Sequence, residues 1–162
     1  MSPKGYSRIQ IGLHWLVAAL IVAQFALQDP IVVASEAIKK AETPDISTLV
    51  VLHVIAGSLI LALVVWRLVI RLQRGVPALP EKEFPALKAI AHLTHWSLYA
   101  LMIVLPVTGL AAWFGGNATA DVIHTSLKLP LLGLIGLHFA AALFQQFALR
   151  TGLITRMLRV EN

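Results

Sequence analysis

Long apolar runs separated by short polar clusters divide this chain into four segments, covering about residues 7–28, 47–71, 86–114 and 121–149. Each run exceeds the roughly 20 residues that a helix needs to cross the hydrocarbon core of a bilayer. Backbone groups in lipid have no water to bond, so runs this apolar are expected to be helices. Asp29-Pro30 closes the first run, and Gly115-Gly116-Asn117 makes a short turn between the third and fourth. The connector between the second and third is polar and proline-rich. Pro106 and Gly109, inside the third run, predict a bend there. No internal repeat and no second domain is visible. The pattern predicts an all-α integral membrane four-helix bundle, a single membrane domain over residues 1–162.

Composition supports a bilayer environment. The chain is 58% hydrophobic and 13% charged, with a mean hydropathy of +0.80. A soluble domain of this length would carry far more charge. The absence of cysteine excludes disulfides, iron–sulfur ligation and thioether-linked c-type haem. No phosphate-binding loop, dinucleotide fingerprint or nucleophile elbow occurs.

The formal charge of +5 matters less than its distribution. Lys4, Arg8, Arg67, Arg71, Arg74, Lys82, Lys88, Arg150, Arg156 and Arg159 fall on alternate sides of the runs, leaving only Lys39, Lys40 and Lys128 for the other side. By the positive-inside rule both termini and the middle connector face the cytoplasm of a bacterial inner membrane. The basic balance is thus topology, with no nucleic-acid partner implied. Lys4 and Arg8 ahead of an apolar run, with Val33-Ala34-Ser35-Glu36-Ala37 after it, resemble a signal peptide faintly. A cleavable apolar core is usually shorter and has no reason to carry His14-Trp15. The first run is read as a span.

Histidines inside these spans carry the chemistry. His124 and His138 are 14 residues apart on one run, close to four helical turns and about 21 Å along the axis. They leave from nearly the same face at two depths. Matching depths pairs His53 with His124 near the outer side. Near the inner side lie His14, His138, His92 and His95, of which two would be axial ligands. An ionisable side chain within a span marks a functional site by default. A lone membrane histidine is more often a hydrogen-bonding residue, but six of them at matched depths are not explained that way. Zinc is disfavoured, because no carboxylate lies at histidine depth. Imidazole on both faces of a haem iron needs none.

The neighbours suit a large flat anionic ligand. Ala56-Gly57, Gly133 and Gly136 lie within about a turn of a histidine, which fits either a porphyrin edge or close helix packing. Arg67 and Arg71 share a face at the inner end of the second span and suit haem propionates, as well as snorkelling to the interface. Lys128, a turn after His124, could meet outer propionates, draw in an anion, or snorkel. His92, His95 and Tyr99 follow i, i+3, i+7 spacing at the inner end of the third span. They are suited to hold propionates, or to donate to a quinone and relay its protons.

These residues together resemble the prokaryotic cytochrome b561 family. The resemblance rests on Tyr6-Ser7-Arg8 with Leu13-His14-Trp15, and on Leu52-His53-Val54 with Gly57. It extends to the Arg67 and Arg71 pair, Ala91-His92-Leu93-Thr94-His95, and Gly136-Leu137-His138. It covers all four spans in order. Relatives in this group include the haem-bearing membrane subunits of nickel–iron hydrogenases and formate dehydrogenases, and some members oxidise superoxide. The resemblance implies two non-covalent b haems, each held by two histidines: His53 with His124, and His14 with His138. The chain departs from the family pattern around Val122-Ile123-His124-Thr125, where an aromatic before the histidine and an acid after it are common.

The expected function is transmembrane electron transfer from an outer-face donor, superoxide among them, to ubiquinone or another quinone. The alternative is a non-catalytic anchor and relay subunit of a larger redox complex. Its partner protein would need a docking surface, for which the first connector is short.

Overall fold

The structure, a computed structural model, describes residues 5–77 and 84–159. Lys4 and Lys82, counted above for topology, lie outside the described residues. The described chain is helical throughout. Its elements are α1 (Arg8–Ala26), α2 (Gln28–Lys39), α3 (Thr48–Arg74), α4 (Pro85–Gly115), α5 (Ala118–Leu143) and α6 (Leu153–Arg156). A wider π-helical turn, Phe144–Ala148, extends α5. Four of these helices, α1, α3, α4 and α5 with its extension, are long and apolar enough to cross a membrane.

Three of the four spans begin at a residue whose side chain accepts from a free backbone N–H of the first turn. Ser7 caps α1 in a reciprocal box with Gln10, Ser47 caps α3, and Asn117 caps α5 through Ala120 N–H at 2.9 Å. Pro85 starts α4, where its missing N–H costs nothing. Gly116, at φ 60°, ends α4 in the left-handed region and turns the chain directly into α5.

The first connector differs from expectation. Asp29-Pro30 does not leave a loop behind it. The break falls at Leu27 (φ −97°, ψ 10°), and a second helix of 12 residues begins at once. Pro30 sits in the first turn of that helix, where no intrahelical N–H bond is lost, so a residue expected to stop one helix instead opens another. Lys39 at the end of α2 bonds Asp121 in the first turn of α5 at 2.8 Å and Glu36 at 2.9 Å. These contacts hold the Lys39 ammonium above its ordinary pKa. The link is therefore complete at neutral pH and is lost as pH rises through that raised value.

Packing runs α1 on α3, α3 on α4, and α4 on α5. Among the described residues α1 and α5 have no comparable packing with each other, so the bundle is open between its first and last spans. The core they share is narrow: Leu13, Val17, Ile60, Val64, Met102 and Leu131 are among its members. Large apolar side chains such as Val22, Leu129 and Phe139 point outward, as expected where the surroundings are lipid and helices gain little by hiding apolar surface from it.

The start of α1 and the described tail after α5 lie at one end of the bundle, called proximal below, and α2 lies at the other, distal end. The proximal end is closed by the chain's own tail. The Gln145 carbonyl takes bonds from the N–H and hydroxyl of Thr151, both at 3.0 Å, which turns the chain back. Trp15 Nε1 then donates to the Met157 carbonyl at 2.8 Å. Gln10 Nε2 donates to the carbonyl of Gly75, tying the start of α1 to the end of α3.

Candidate functional site

At the distal end α3 and α5 bring His53 and His124 to the wall of one cavity of about 650 Å³. That volume lies within the roughly 300–1,000 Å³ typical of cofactor pockets. Its lining is mostly apolar, with Gln24, Glu36, Lys39 and Lys128 among the polar exceptions, and α2 forms one side of it.

The His124 ring is set by α4. Its Nδ1 lies 2.8 Å from the Leu105 carbonyl. A carbonyl only accepts, so Nδ1 carries the proton and Nε2 keeps the lone pair free for a ligand. Leu105 immediately precedes Pro106, whose missing N–H interrupts the α4 ladder in this turn. The ring fits because residue 109 is glycine: a Cβ there would stand 2.9 Å from His124 Cε1. Gly109 was expected only to bend the span. Its close approach to His124 is a tertiary fact that no local pattern announces.

At the proximal end three imidazoles meet. The rings of His14 and His138 are 6.2 Å apart, and those of His95 and His138 are 5.2 Å apart. Two metal–nitrogen bonds of roughly 2 Å, with half a ring on either side, span about 6 Å. The His14–His138 separation is close to that span, and the His95–His138 separation is shorter than it. His95 Nδ1 instead lies 2.6 Å from the Ala91 carbonyl on its own helix, which leaves its Nε2 unprotonated.

His92 is exposed two turns nearer the helix start, about 10 Å from Tyr99 along the axis, so the stripe His92, His95, Tyr99 divides by height. Tyr99 is buried, and Arg67 and Arg71 each lie 5.7 Å from its ring centroid. Arg71 is also 5.7 Å from the Trp96 ring. Aromatic faces stabilise both cations, and no ion pair with a carboxylate is seen for either among the described residues. The Tyr6 hydroxyl joins this group from just before α1. Burial pushes its pKa up, against the pull of Arg71 and then Arg67. Tyr6 had carried only part of the family resemblance; its chain position ahead of the first span gave no sign of a polar cluster.

Two observations bear on what these places hold. His14 Nδ1 and His53 Nδ1 are buried without a hydrogen-bond partner, a cost that marks both rings as functional rather than structural. Among the described residues no set of three or more histidine, aspartate and glutamate side chains is placed to hold one metal ion together. Facing imidazole pairs instead suit a metal whose remaining ligands come from a macrocycle. The residues fit haem. Of the glycines near the histidines, Gly133 and Gly136 face open space rather than a neighbouring helix, while Gly57 makes a close approach to Gln24.

Residues 5–159 match the family described as prokaryotic cytochrome b561. The chain is 32% identical over 155 residues to a cytochrome b562 of Cereibacter sphaeroides, covering 96% of each chain. It is 30% identical over 176 aligned positions to a probable superoxide oxidase, CybB, of Yersinia pestis, again covering 96% of each.

Proposed function

Because the chain belongs to the prokaryotic cytochrome b561 family of haem-binding membrane electron-transfer proteins, we propose that it is a di-haem, quinone-linked oxidoreductase. It takes electrons from a donor at its distal, outer face and delivers them to membrane quinone near its proximal, cytoplasmic face. The observation that carries this reading is the presence of two histidine sets at opposite ends of the bundle, each joining α5 to another span. Superoxide is the donor favoured by the likeness to CybB. Two superoxide anions would lose one electron each to become dioxygen, and one quinone would take both electrons and two protons to become quinol.

His53 and His124 would hold one haem, and His14 and His138 the other. Bound between two neutral imidazoles, haem supplies reversible one-electron transfer without an open site for oxygen. His124 is kept in the correct tautomer by Leu105. The apolar layer of Val17, Ile60, Val64, Met102 and Leu131 separates the two sites and excludes water between them. Arg67 and Arg71 are held on Tyr99 to meet propionates. Lys128, on the cavity wall, gives the distal site a cation for an anionic donor or a propionate.

The direct test is stoichiometry. Pyridine haemochrome assay of the purified protein should give about two haems per chain, all released by acid–acetone because no cysteine can bind them. A ratio near one, or haem that resists extraction, would overturn the assignment.

The quinone end makes a kinetic prediction. His95 offers an unprotonated Nε2, and Tyr99 a phenol, beside the proximal pair. Reduction of quinone needs protons delivered there. His95→Gln should keep both haems and their normal reduction by donor, yet slow reoxidation by quinone by about 10²-fold, the lower range for loss of a general acid–base. Unchanged reoxidation in stopped-flow would move the quinone site elsewhere.

The relay-subunit reading gains one observation: the first connector is a helix, α2, with Val33 and Ile38 exposed. Reduction of quinone by superoxide with the purified chain alone supports the enzyme. Reduction of the haems only through a partner subunit supports the relay.

A further inference from the structure

Gln24 is a single carboxamide in the last turn of an otherwise apolar stretch of α1. Its Nε2 donates to the backbone carbonyl of His53 at 3.0 Å. This fixes the orientation of the amide, because the reverse one would set oxygen against oxygen. Its Oε1 must then face away, and it is buried with no hydrogen-bond partner. The arrangement depends on residue 57 being glycine, since a Cβ there would stand 2.8 Å from Gln24 Nε2. All three residues line the distal cavity.

The other unpaired atom in this place is His53 Nδ1. An imidazole that binds iron through Nε2 carries its proton on Nδ1, and that proton needs an acceptor. His124 has one in the Leu105 carbonyl. His53 has a buried donor without a partner, and the residue clamped to its backbone has a buried acceptor without a partner. The two are complementary, a donor and an acceptor on the wall of one cavity that a buried water could bridge. We propose that Gln24 is the positioning residue for His53: its Oε1 takes the Nδ1 proton's hydrogen bond, through a bound water, and Gly57 makes room for it. This rests on His53 being an axial ligand. The rival acceptor is the Leu27 carbonyl at the α1–α2 break, which approaches the His53 ring without forming a full hydrogen bond.

An acceptor on Nδ1 makes the imidazole a stronger electron donor to iron, which stabilises the oxidised form. Removing it should raise the midpoint potential of the distal haem and leave the proximal one unchanged. The test is redox titration of each haem, with low-spin EPR, in the full-length protein carrying Gln24→Met, Gly57→Ala or Gln24→Glu. Gln24→Met and Gly57→Ala should each shift the distal reduction equilibrium about tenfold, about 59 mV for one electron, with altered g values. Gln24→Glu, protonated in this buried place, donates to the His53 carbonyl through its hydroxyl and keeps a carbonyl acceptor, so it should not raise the potential. Unchanged distal potentials in the first two variants, with both haems bound, would overturn the proposal in favour of Leu27. If Gln24→Met loses the distal haem, its recovery in Gln24→Glu supports the proposal, and failure to recover it refutes it. A His53→Ala protein that still holds both haems removes the ligand assignment itself, and the role of Gln24 with it.

Discussion

Replacing His124 with alanine is expected to remove one of two haems completely, and replacing His53 to remove the same one. His14→Ala and His138→Ala should each remove the other. The reason is geometric. His53 and His124 share the distal cavity, whereas His14 and His138 face each other at 6.2 Å at the opposite end. Loss of one axial imidazole leaves its partner buried and unpaired, so the site loses more than half of its binding. The low-temperature absorption spectra of the four variants should fall into two matching pairs. A His138→Ala spectrum that matches His53→Ala would break the pairing. Loss of a haem in His95→Ala would make that residue a ligand, against its 5.2 Å separation from His138.

The second large effect should come from one methyl group. Gly109→Ala would put a Cβ 2.9 Å from His124 Cε1 and 3.0 Å from its Nδ1. Neither neighbour yields easily, because the ring is bonded to the Leu105 carbonyl and the alanine is fixed in a helix. The ring must leave that bond, and its tautomer is no longer specified. Disturbing the partner of a metal-ligating histidine typically lowers metal affinity about 10–100-fold. Distal haem occupancy after mild detergent washing should fall accordingly, with the proximal haem retained. Gly115→Ala is the control, since a Cβ there meets nothing within 4 Å and the residue does not line the distal cavity. Equal retention in the two variants would show that the His124 pocket has slack.

The histidines and the four spans are legible in the sequence for the same reason. In a bilayer an imidazole is an exception within a long apolar run, and both run and exception are visible without tertiary knowledge. Depth and spacing were enough to propose a distal pair. They left four histidines at the proximal end, where the ring separations are the ground for proposing His14 rather than His95 opposite His138. The residues that shape the sites were less visible. Gly109 and His124 are 15 positions apart on different helices, and Gln24 and His53 are 29 apart. Their contacts come from the way α1 rests on α3 and α4 on α5. The helix α2 was missed because Asp29-Pro30 ends a hydrophobic run and opens a helix with the same two residues. Only the direction of the backbone at Leu27 tells these apart.

The break at Leu27 also governs how the molecule sits in membranes of different thickness. It limits α1 to 19 residues, while α4 runs for 31. These lengths correspond to about 28 Å and 46 Å, against a hydrocarbon layer of about 30 Å. α4 has length to spare and can tilt as the bilayer thins or thickens. α1 has none, and α2 leaves its end at once. A change in bilayer thickness therefore asks more adjustment of α4 and α5 than of α1. Because His124 is on α5 and His53 on α3, which packs on α1, the spectrum of the distal site is expected to depend on lipid chain length in reconstituted bilayers, and that of the site containing His14 to depend on it less.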